Sequence, residues 1–290
     1  MIFIENEGNT NPRLNLALEE YALRNFPSET DYLLFYINEP SIIIGRSQNT
    51  IEEIHQDYVE KNNIHIVRRI SGGGAVYHDF GNLNFSFITN HDVKSLNNFK
   101  KFTAPVISAL SKIGVEAALK GRNDILVNDK KISGTAQFST GKRMISHGTL
   151  LFKTDLAEVA NALQVKKSKI ISKGHKSVRS RVANISEFIN KPLSIEEFRA
   201  LLLTGLYEEM EPFETYHLTA EEWKAVHILK EEKYDSWDWN YGRSPKFNIQ
   251  HSKRFPIGEI DVRLFVEKGY LTELKIFVTI QPRFQKRASY

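Results

Sequence analysis

The stretch Ile64-His65-Ile66-Val67-Arg68-Arg69-Ile70-Ser71-Gly72-Gly73-Gly74-Ala75-Val76-Tyr77-His78 decides the reading of the fold. Its apolar start, Ile64 to Val67, has the character of a short strand, and that strand runs into three consecutive glycines. Each glycine loses more backbone freedom on folding than any other residue, so the triplet suits neither helix nor sheet. It suits a loop on which a ligand lies directly against the main chain, with peptide N–H groups turned toward it. Arg68 and Arg69 at the loop entrance point to an anionic ligand. The competing reading is a surface turn beside solvated arginines.

Working outward, Leu14, Ala17, Leu18, Tyr21 and Ala22 recur at helical spacing between Pro12 and Pro27. Tyr32–Ile37 and Ser41–Ile44 read as strands parted by Asn38-Glu39-Pro40, and a polar helix is expected from Ile51 to Lys61. Val76–His78 and Leu83–Ile88 read as a strand pair around Asp79-Phe80-Gly81-Asn82. A second helical stripe, Phe99, Phe102, Val106, Leu110 and Ile113, closes on Gly114. Strands follow at Asp124–Val127, Lys130–Gln137 and Arg143–Phe152, the first two joined by Asn128-Asp129. Ser194-Ile-Glu-Glu197 and Thr219-Ala-Glu-Glu222 match the capping box that starts a helix. Past Tyr241-Gly-Arg-Ser-Pro245, Phe255–Val266 and Tyr270–Val278 form a hairpin. The expected class is α/β of the α+β type, a mixed sheet with flanking helices. A domain over residues 1–243 is followed by a small accessory domain over 244–290.

The chain has 290 residues, enough to bury a full core, and its hydrophobic share of 41% is that of a soluble globular protein. No apolar run approaches the roughly 20 residues of a membrane span, and no secretion signal is legible, so a cytoplasmic setting is expected. Cysteine is absent, which excludes disulfides, thiolate metal sites and thioester chemistry on the protein. The nine histidines show no metal-ligand spacing. A formal charge of +4 favours anionic partners without naming one.

Three further segments could carry chemistry. Lys131 follows the Asn128-Asp129 turn, and strand alternation sends it and Ile132 to opposite faces. A fixed ammonium there would draw two anionic reactants together, while Ser133, Gly134 and Ala136 leave room for a ligand; alternatively Lys130 and Lys131 are two solvated hairpin charges. The basic run Lys166, Lys167, Lys169, Lys173, His175, Lys176, Arg179 and Arg181 has the composition of a lid over a polyphosphate, or of a solvated loop. No aromatic interleaves it, which weakens a single-stranded nucleic-acid reading. Asp124 at a strand mouth suits Mg²⁺ held with substrate phosphates, or is an exposed turn carboxylate. Gly141-Lys142 is no Walker loop, because Ala136 and Arg143 stand at required positions.

Together, Val67–Asn82, Gly121-Arg-Asn-Asp124, Lys131-Ile-Ser-Gly-Thr-Ala136 and Lys176-Ser-Val-Arg-Ser-Arg-Val-Ala-Asn184 resemble lipoate–protein ligases of the A type, in the family's order. Gly45-Arg-Ser-Gln-Asn49 and Tyr234–Phe247 look like the same family. The resemblance implies a biotin/lipoate-ligase fold with a small C-terminal domain. It also implies a two-step reaction, from lipoate and ATP to lipoyl-adenylate and pyrophosphate, then lipoyl transfer to a lysine of an acceptor domain. Such acceptors are the acyltransferase subunit of 2-oxoacid dehydrogenases and the glycine-cleavage H protein. By position, Lys131 matches the lysine that contacts the lipoate carboxyl and the α-phosphate. Arg69, Gly74, Ala75, Val76 and Tyr77 match the nucleotide loop, joined by Lys176 and Arg179 from a closing segment at about 168–184. Ser71, Gly72, Gly73, His78 and His147, with Arg69 and Lys131, match the lipoate site. ATP and Mg²⁺ are the implied cofactors, with Asp124 as metal ligand. A monomer is expected, with acceptor proteins as partners and neither nucleic acid nor membrane.

One departure stands out. After Leu274-Lys-Ile-Phe-Val278 the tail is short and basic, where such ligases continue with further aromatics and helices, so an incomplete accessory domain is expected. Octanoyl or lipoyl transferases need a cysteine nucleophile that this chain lacks. The remaining alternatives are a non-catalytic lipoyl-adenylate binder and a basic nucleic-acid-binding protein.

Overall fold

A computed structural model describes residues 1–163, 182–210, 214–243, 249–255, 258–267 and 270–280. In chain order the strands are β1 (Ile2–Glu5), β2 (Tyr32–Ile37), β3 (Ser41–Ile44), β4 (His65–Arg68), β5 (Val76–His78), β6 (Asn82–Asn90), β7 (Ala118–Lys120), β8 (Asp124–Val127), β9 (Lys130–Ser139), β10 (Arg143–Leu151), β11 (Glu214–His217), β12 (Ile249–Phe255), β13 (Gly258–Glu267) and β14 (Tyr270–Ile280). The α-helices are α1 (Pro12–Asn25), α2 (Thr50–Glu53), α3 (Gln56–Lys61), α4 (Phe99–Lys112), α5 (Leu156–Ala162), α6 (Ile195–Met210) and α7 (Ala220–Leu229), which runs on into wider turns at Lys230–Tyr234 and Asp238–Gly242.

Local signals set the helix ends. Asn11 caps α1 by accepting from Arg13 and Leu14 N–H with Pro12 in the first turn, and the helix stops ahead of Pro27. Helix α4 ends on Gly114, whose φ of +83° is the left-handed stop that glycine takes most readily. Both capping boxes form: Ser194 with Glu197, and Thr219 with Glu222.

The chain separates into two compact units, Met1–Arg243 and Ser244–Tyr290. The first is built on an eight-stranded mixed sheet ordered β11-β1-β2-β6-β10-β9-β8-β7. Its Leu33, Phe35, Phe85, Phe87 and Met144 face packs on α4 and α6 through Phe102, Val106, Phe198 and Leu202. The opposite face carries Leu34, Tyr36, Ile88 and Ile145 and is covered by α1 and by a three-stranded sheet ordered β4-β3-β5. The second unit is an antiparallel meander, β12-β13-β14.

Three expectations change. The strands β5 and β6 are not a pair: β5 joins β3 in the small sheet, while β6 lies between β2 and β10 in the large one. The helix expected from Ile51 to Lys61 breaks at Ile54, which is buried and bridges Leu163, while His55 N–H donates to Ala162. The strand expected from Phe255 to Val266 begins at Gly258, and Phe255 ends the strand before it. The tail beyond Ile280 and the basic run from Lys166 to Arg181 lie outside the described residues.

Arg68 ties the glycine-loop strand to the end of the first unit. Its guanidinium is fully buried and donates to the carbonyls of Gly45, Arg46, Gln48, Trp239 and Asn240 and to the Thr50 hydroxyl. The Trp239 indole N–H returns a bond to the Arg68 carbonyl at 2.7 Å. Arg68→Met strands several of these carbonyls and is expected to lower stability by about 3 kcal/mol in urea denaturation. Arg68→Lys is expected to restore less than half of it, because one compact ammonium cannot span the set.

Candidate active site

Strand β4 delivers Arg69 to the opposite side from Arg68. Arg69 Nη2 donates to the carbonyls of Gly72 and Gly74, both at 2.8 Å, Nη1 to Ile43 at 2.9 Å, and Nε to Ser71 Oγ at 3.0 Å. The glycine loop is thus wound around a buried cation. In a trans peptide C=O and N–H point oppositely. Carbonyls of Gly72 and Gly74 turned to Arg69 therefore turn the N–H groups of Gly73 and Ala75 away from it. Gly73 has φ +100°, and a Cβ there would lie 2.9 Å from Arg69 Nη2. Gly45 is equally constrained, since a Cβ on it would sit 2.1 Å from the Gly73 carbonyl oxygen.

Beneath this loop a cavity of about 270 Å³ opens against the large sheet. From the loop side it is lined by Arg69, Gly73, Gly74, Ala75, Val76 and His78. The sheet contributes Tyr36, Asn84, His147, Thr149, Thr135 and Lys131, and Leu16 of α1 and Ile43 of β3 add apolar wall.

Lys131 reaches it through a type I′-like turn, with Asn128 at φ 46° and Asp129 at φ 62°, followed by a bulge opposite Ile125/Leu126. Ile132 goes into the core while the Lys131 ammonium lies over Gly134, where a Cβ would come within 2.8 Å of Nζ. The bareness of Gly134 makes room for the lysine itself. Lys131 Nζ also meets Asp124 Oδ1 at 2.8 Å, so the expected metal ligand faces the expected catalytic lysine. Lys130 turns elsewhere, to Glu187 at 3.7 Å, beside a larger hollow of about 360 Å³ that lacks the glycine loop.

His147 Nε2 is 2.7 Å from Ser71 Oγ, and its Nδ1 is 2.9 Å from the buried carboxylate of Glu19 on α1. His78 is 3% exposed; burial first, then Arg69 and His147 nearby, push its pKa down to about 3, so the ring is neutral at neutral pH. Burial likewise lowers the Arg69 pKa to about 10, against the opposing pull of Tyr36 and Glu19, and the guanidinium stays charged.

Of the residues singled out in the sequence, Arg69, Gly73, Gly74, Ala75, Val76, His78, Lys131 and His147 meet at this cavity. Ser71 and Gly72 do not line it; Ser71 is fully buried behind the loop, between Arg69 and His147. Tyr77 alternates to the far side of β5, among Ile42, Ile44 and Ile66, which leaves only its main chain near the loop. Lys176 and Arg179 lie outside the described residues, but the chain re-emerges at Val182, bridged to Lys131, with Ala183 N–H donating to the Lys131 carbonyl. Sequence reasoning missed Tyr36, Asn84, Asn38 and Glu19. The alternation Asn82, Asn84, Ser86 against Leu83, Phe85, Phe87 was a signal, since that polar strand face is buried rather than solvated.

Comparison with known proteins bears on the whole architecture. A family model for the lipoyl protein ligase A/B catalytic domain matches residues 11–207, and one for the bacterial lipoate protein ligase C-terminus matches residues 244–280. The chain is 57% identical over 279 residues to lipoate-protein ligase LplJ of Bacillus subtilis (strain 168), covering 96% of this chain and 84% of the relative. Among solved structures, a bi-partite lipoate protein ligase of Thermoplasma acidophilum, studied with its E2 lipoyl domain, aligns at TM-score 0.75 and 34% identity over 86% of this chain and 98% of that one. A lipoate-protein ligase A bound with ATP aligns at TM-score 0.70 and 33% identity over 80% and 95%. The glycine loop, the lysine hairpin and six of the eight strands of the large sheet fall within the matched catalytic region, and the chain belongs to the lipoyl protein ligase A/B family.

Proposed function

We propose that this protein is an ATP-dependent lipoate–protein ligase that works at the cavity between the glycine loop and β9. The observation that carries the reading is the convergence of a fixed ammonium, Lys131, and a main-chain cradle, Gly73–Ala75, on one cavity in a chain of this family. Two anions that repel in water can meet where a fixed cation and oriented N–H groups offset their charge.

In the first step a lipoate carboxylate oxygen attacks the α-phosphorus of ATP. The acyl C–O–P linkage forms, the bond to the bridging oxygen breaks, and pyrophosphate leaves. Lys131 lies between the two reactants and offsets charge on the carboxylate and on the α-phosphate. In the second step the ε-amine of an acceptor lysine attacks the acyl carbonyl; the amide forms, the amine loses a proton and AMP departs. Arg69 acts by shaping the loop, since four of its five N–H groups are already held by protein oxygens. Lys176 and Arg179 belong, on this reading, to a segment that closes over the adenylate, and its anchor at Val182 beside Lys131 supports that.

Mg²⁺ arriving on the nucleotide would neutralise phosphate charge, and Asp124 is the carboxylate that would hold it. One carboxylate fits a metal that retains waters and phosphate ligands, and no cluster of three metal-binding side chains exists among the described residues. Residues 1–243 make the catalytic unit and 244–290 the accessory one. On this reading the ligase acts as a monomer. No helix among the described residues is long and apolar enough to cross a membrane, and a cytoplasmic enzyme acting on acyltransferase or H-protein lipoyl domains fits the use of ATP.

ATP–pyrophosphate exchange dependent on lipoate, followed by labelling of a lipoyl domain, tests the reading; tight lipoate binding without exchange would leave only a binder. Lys131→Ala is expected to cut exchange by about a hundredfold or more. Its folding stability should stay within about 1 kcal/mol of wild type, because the side chain is 39% exposed and its ion pair with Asp124 is a surface one. Normal turnover in that variant would contradict the assigned role. Gly45→Ala drives a methyl group into the Gly73 carbonyl, and exchange is expected to fall by roughly tenfold with the circular dichroism spectrum unchanged.

A further inference from the structure

Glu19 and Glu20, neighbours on α1, each connect to one of the two arginines that end β4. Glu20 Oε2 accepts from Lys233 Nζ at 2.6 Å and from the Tyr234 hydroxyl at 2.7 Å. The Tyr234 carbonyl accepts from Asn240 Nδ2, and Asn240 Oδ1 accepts the Arg68 peptide N–H at 2.8 Å. Glu20 thus clamps α1 to the end of the first unit. Glu19, 1% exposed, reaches β10 and the glycine loop instead.

The direction of each hydrogen bond beyond Glu19 follows from its carboxylate. A carboxylate only accepts, so His147 Nδ1, 2.9 Å away, carries the hydrogen. In a neutral imidazole Nε2 then accepts, and the Ser71 hydroxyl at 2.7 Å donates its single hydrogen there. That leaves the lone pairs of Ser71 Oγ for Arg69 Nε, which only donates and lies 3.0 Å away. A serine hydroxyl otherwise turns toward whichever nearby backbone group suits it; this one has no freedom left. Neither Glu19 nor Ser71 lines the cavity, and both are buried, so neither works by touching a ligand.

We propose that Glu19 is a positioning residue for the adenylation step: through His147 and Ser71 it fixes the turn of the Arg69 guanidinium, and so the direction in which Gly73 and Ala75 present their N–H groups to the nucleotide phosphates. A guanidinium is one rigid, planar fork. Holding Nε therefore orients Nη2, which grips the Gly72 and Gly74 carbonyls at 2.8 Å, and Nη1, which holds that of Ile43 at 2.9 Å. Donors aimed in advance at developing charge lose their effect when they are free to turn. Glu19 also attracts the Arg69 charge, against the burial that lowers the pKa of that group to about 10. The inference rests on the ligase reading.

The test is a double-mutant cycle on Glu19→Met and Ser71→Ala, read as ATP–pyrophosphate exchange. Each single variant is expected to lower kcat/KM for ATP by roughly tenfold, mainly through KM for ATP. The double variant is expected to lose roughly tenfold as well, rather than roughly a hundredfold, because both changes break one chain. Glu19→Gln, whose amide oxygen still accepts from His147, is expected to keep most of the activity. Additive losses, unaltered single variants, a loss carried by KM for lipoate, or Glu19→Gln failing as deeply as Glu19→Met each overturn the proposal while the ligase reading stands. Absence of lipoate-dependent exchange in the wild type overturns both. Needing neither variant nor turnover, ¹⁵N-edited spectra of the wild type are expected to place the His147 hydrogen on Nδ1; a hydrogen on Nε2 reverses the Ser71 hydroxyl and overturns the proposal.

Discussion

Two buried guanidinium groups at the end of β4 hold the site in shape. Arg68 and Arg69 leave the strand on opposite sides, and their resolved hydrogen bonds run to main-chain carbonyls and hydroxyls. Burying a charge is costly unless dipoles replace the lost water. Here that requirement works as a constraint on the backbone, because the carbonyls of Gly72, Gly74 and Ile43 must gather around one cation, and those of Gly45, Gln48 and Asn240 around the other. Burial lowers both pKa values to about 10, so both stay charged at neutral pH and the clasp persists.

That clasp changes what the glycines are for. Gly73 and Gly45 allow main chain to close on main chain at distances a Cβ would forbid. The peptide N–H groups turned outward then become the surface a phosphate can meet, as in other nests of oriented amides. The accessible cation at the cavity is Lys131, held half-exposed by Asp124 over the bare Gly134. A buried cation is rigid and already matched; an accessible one keeps N–H groups for a substrate.

The local elements were legible because their causes are local. Proline and asparagine fixed α1, Asn128-Asp129 fixed the β8–β9 turn, and both capping boxes formed as read. The errors arose where a distant partner decides. Ile54 broke a helix because Leu163 claimed it, and β5 and β6 adjoin in sequence yet serve different sheets. The strands β1, β7 and β11, of four residues or fewer, were not read from the sequence.

For the site, the sequence alone determined the glycine loop, the lysine after its turn, and alternation that parts Lys131 from Ile132. The tertiary structure decided the rest. It turned Arg68 and Arg69 inward, sent Tyr77 away from the cavity, and buried Glu19 against His147 and the amides of Asn15 and Asn38 behind His78. The physical reason is that alternation tells which residues share a face but not what covers that face. In β6 the polar side, Asn82, Asn84 and Ser86, is buried, and Asn84 lines the cavity.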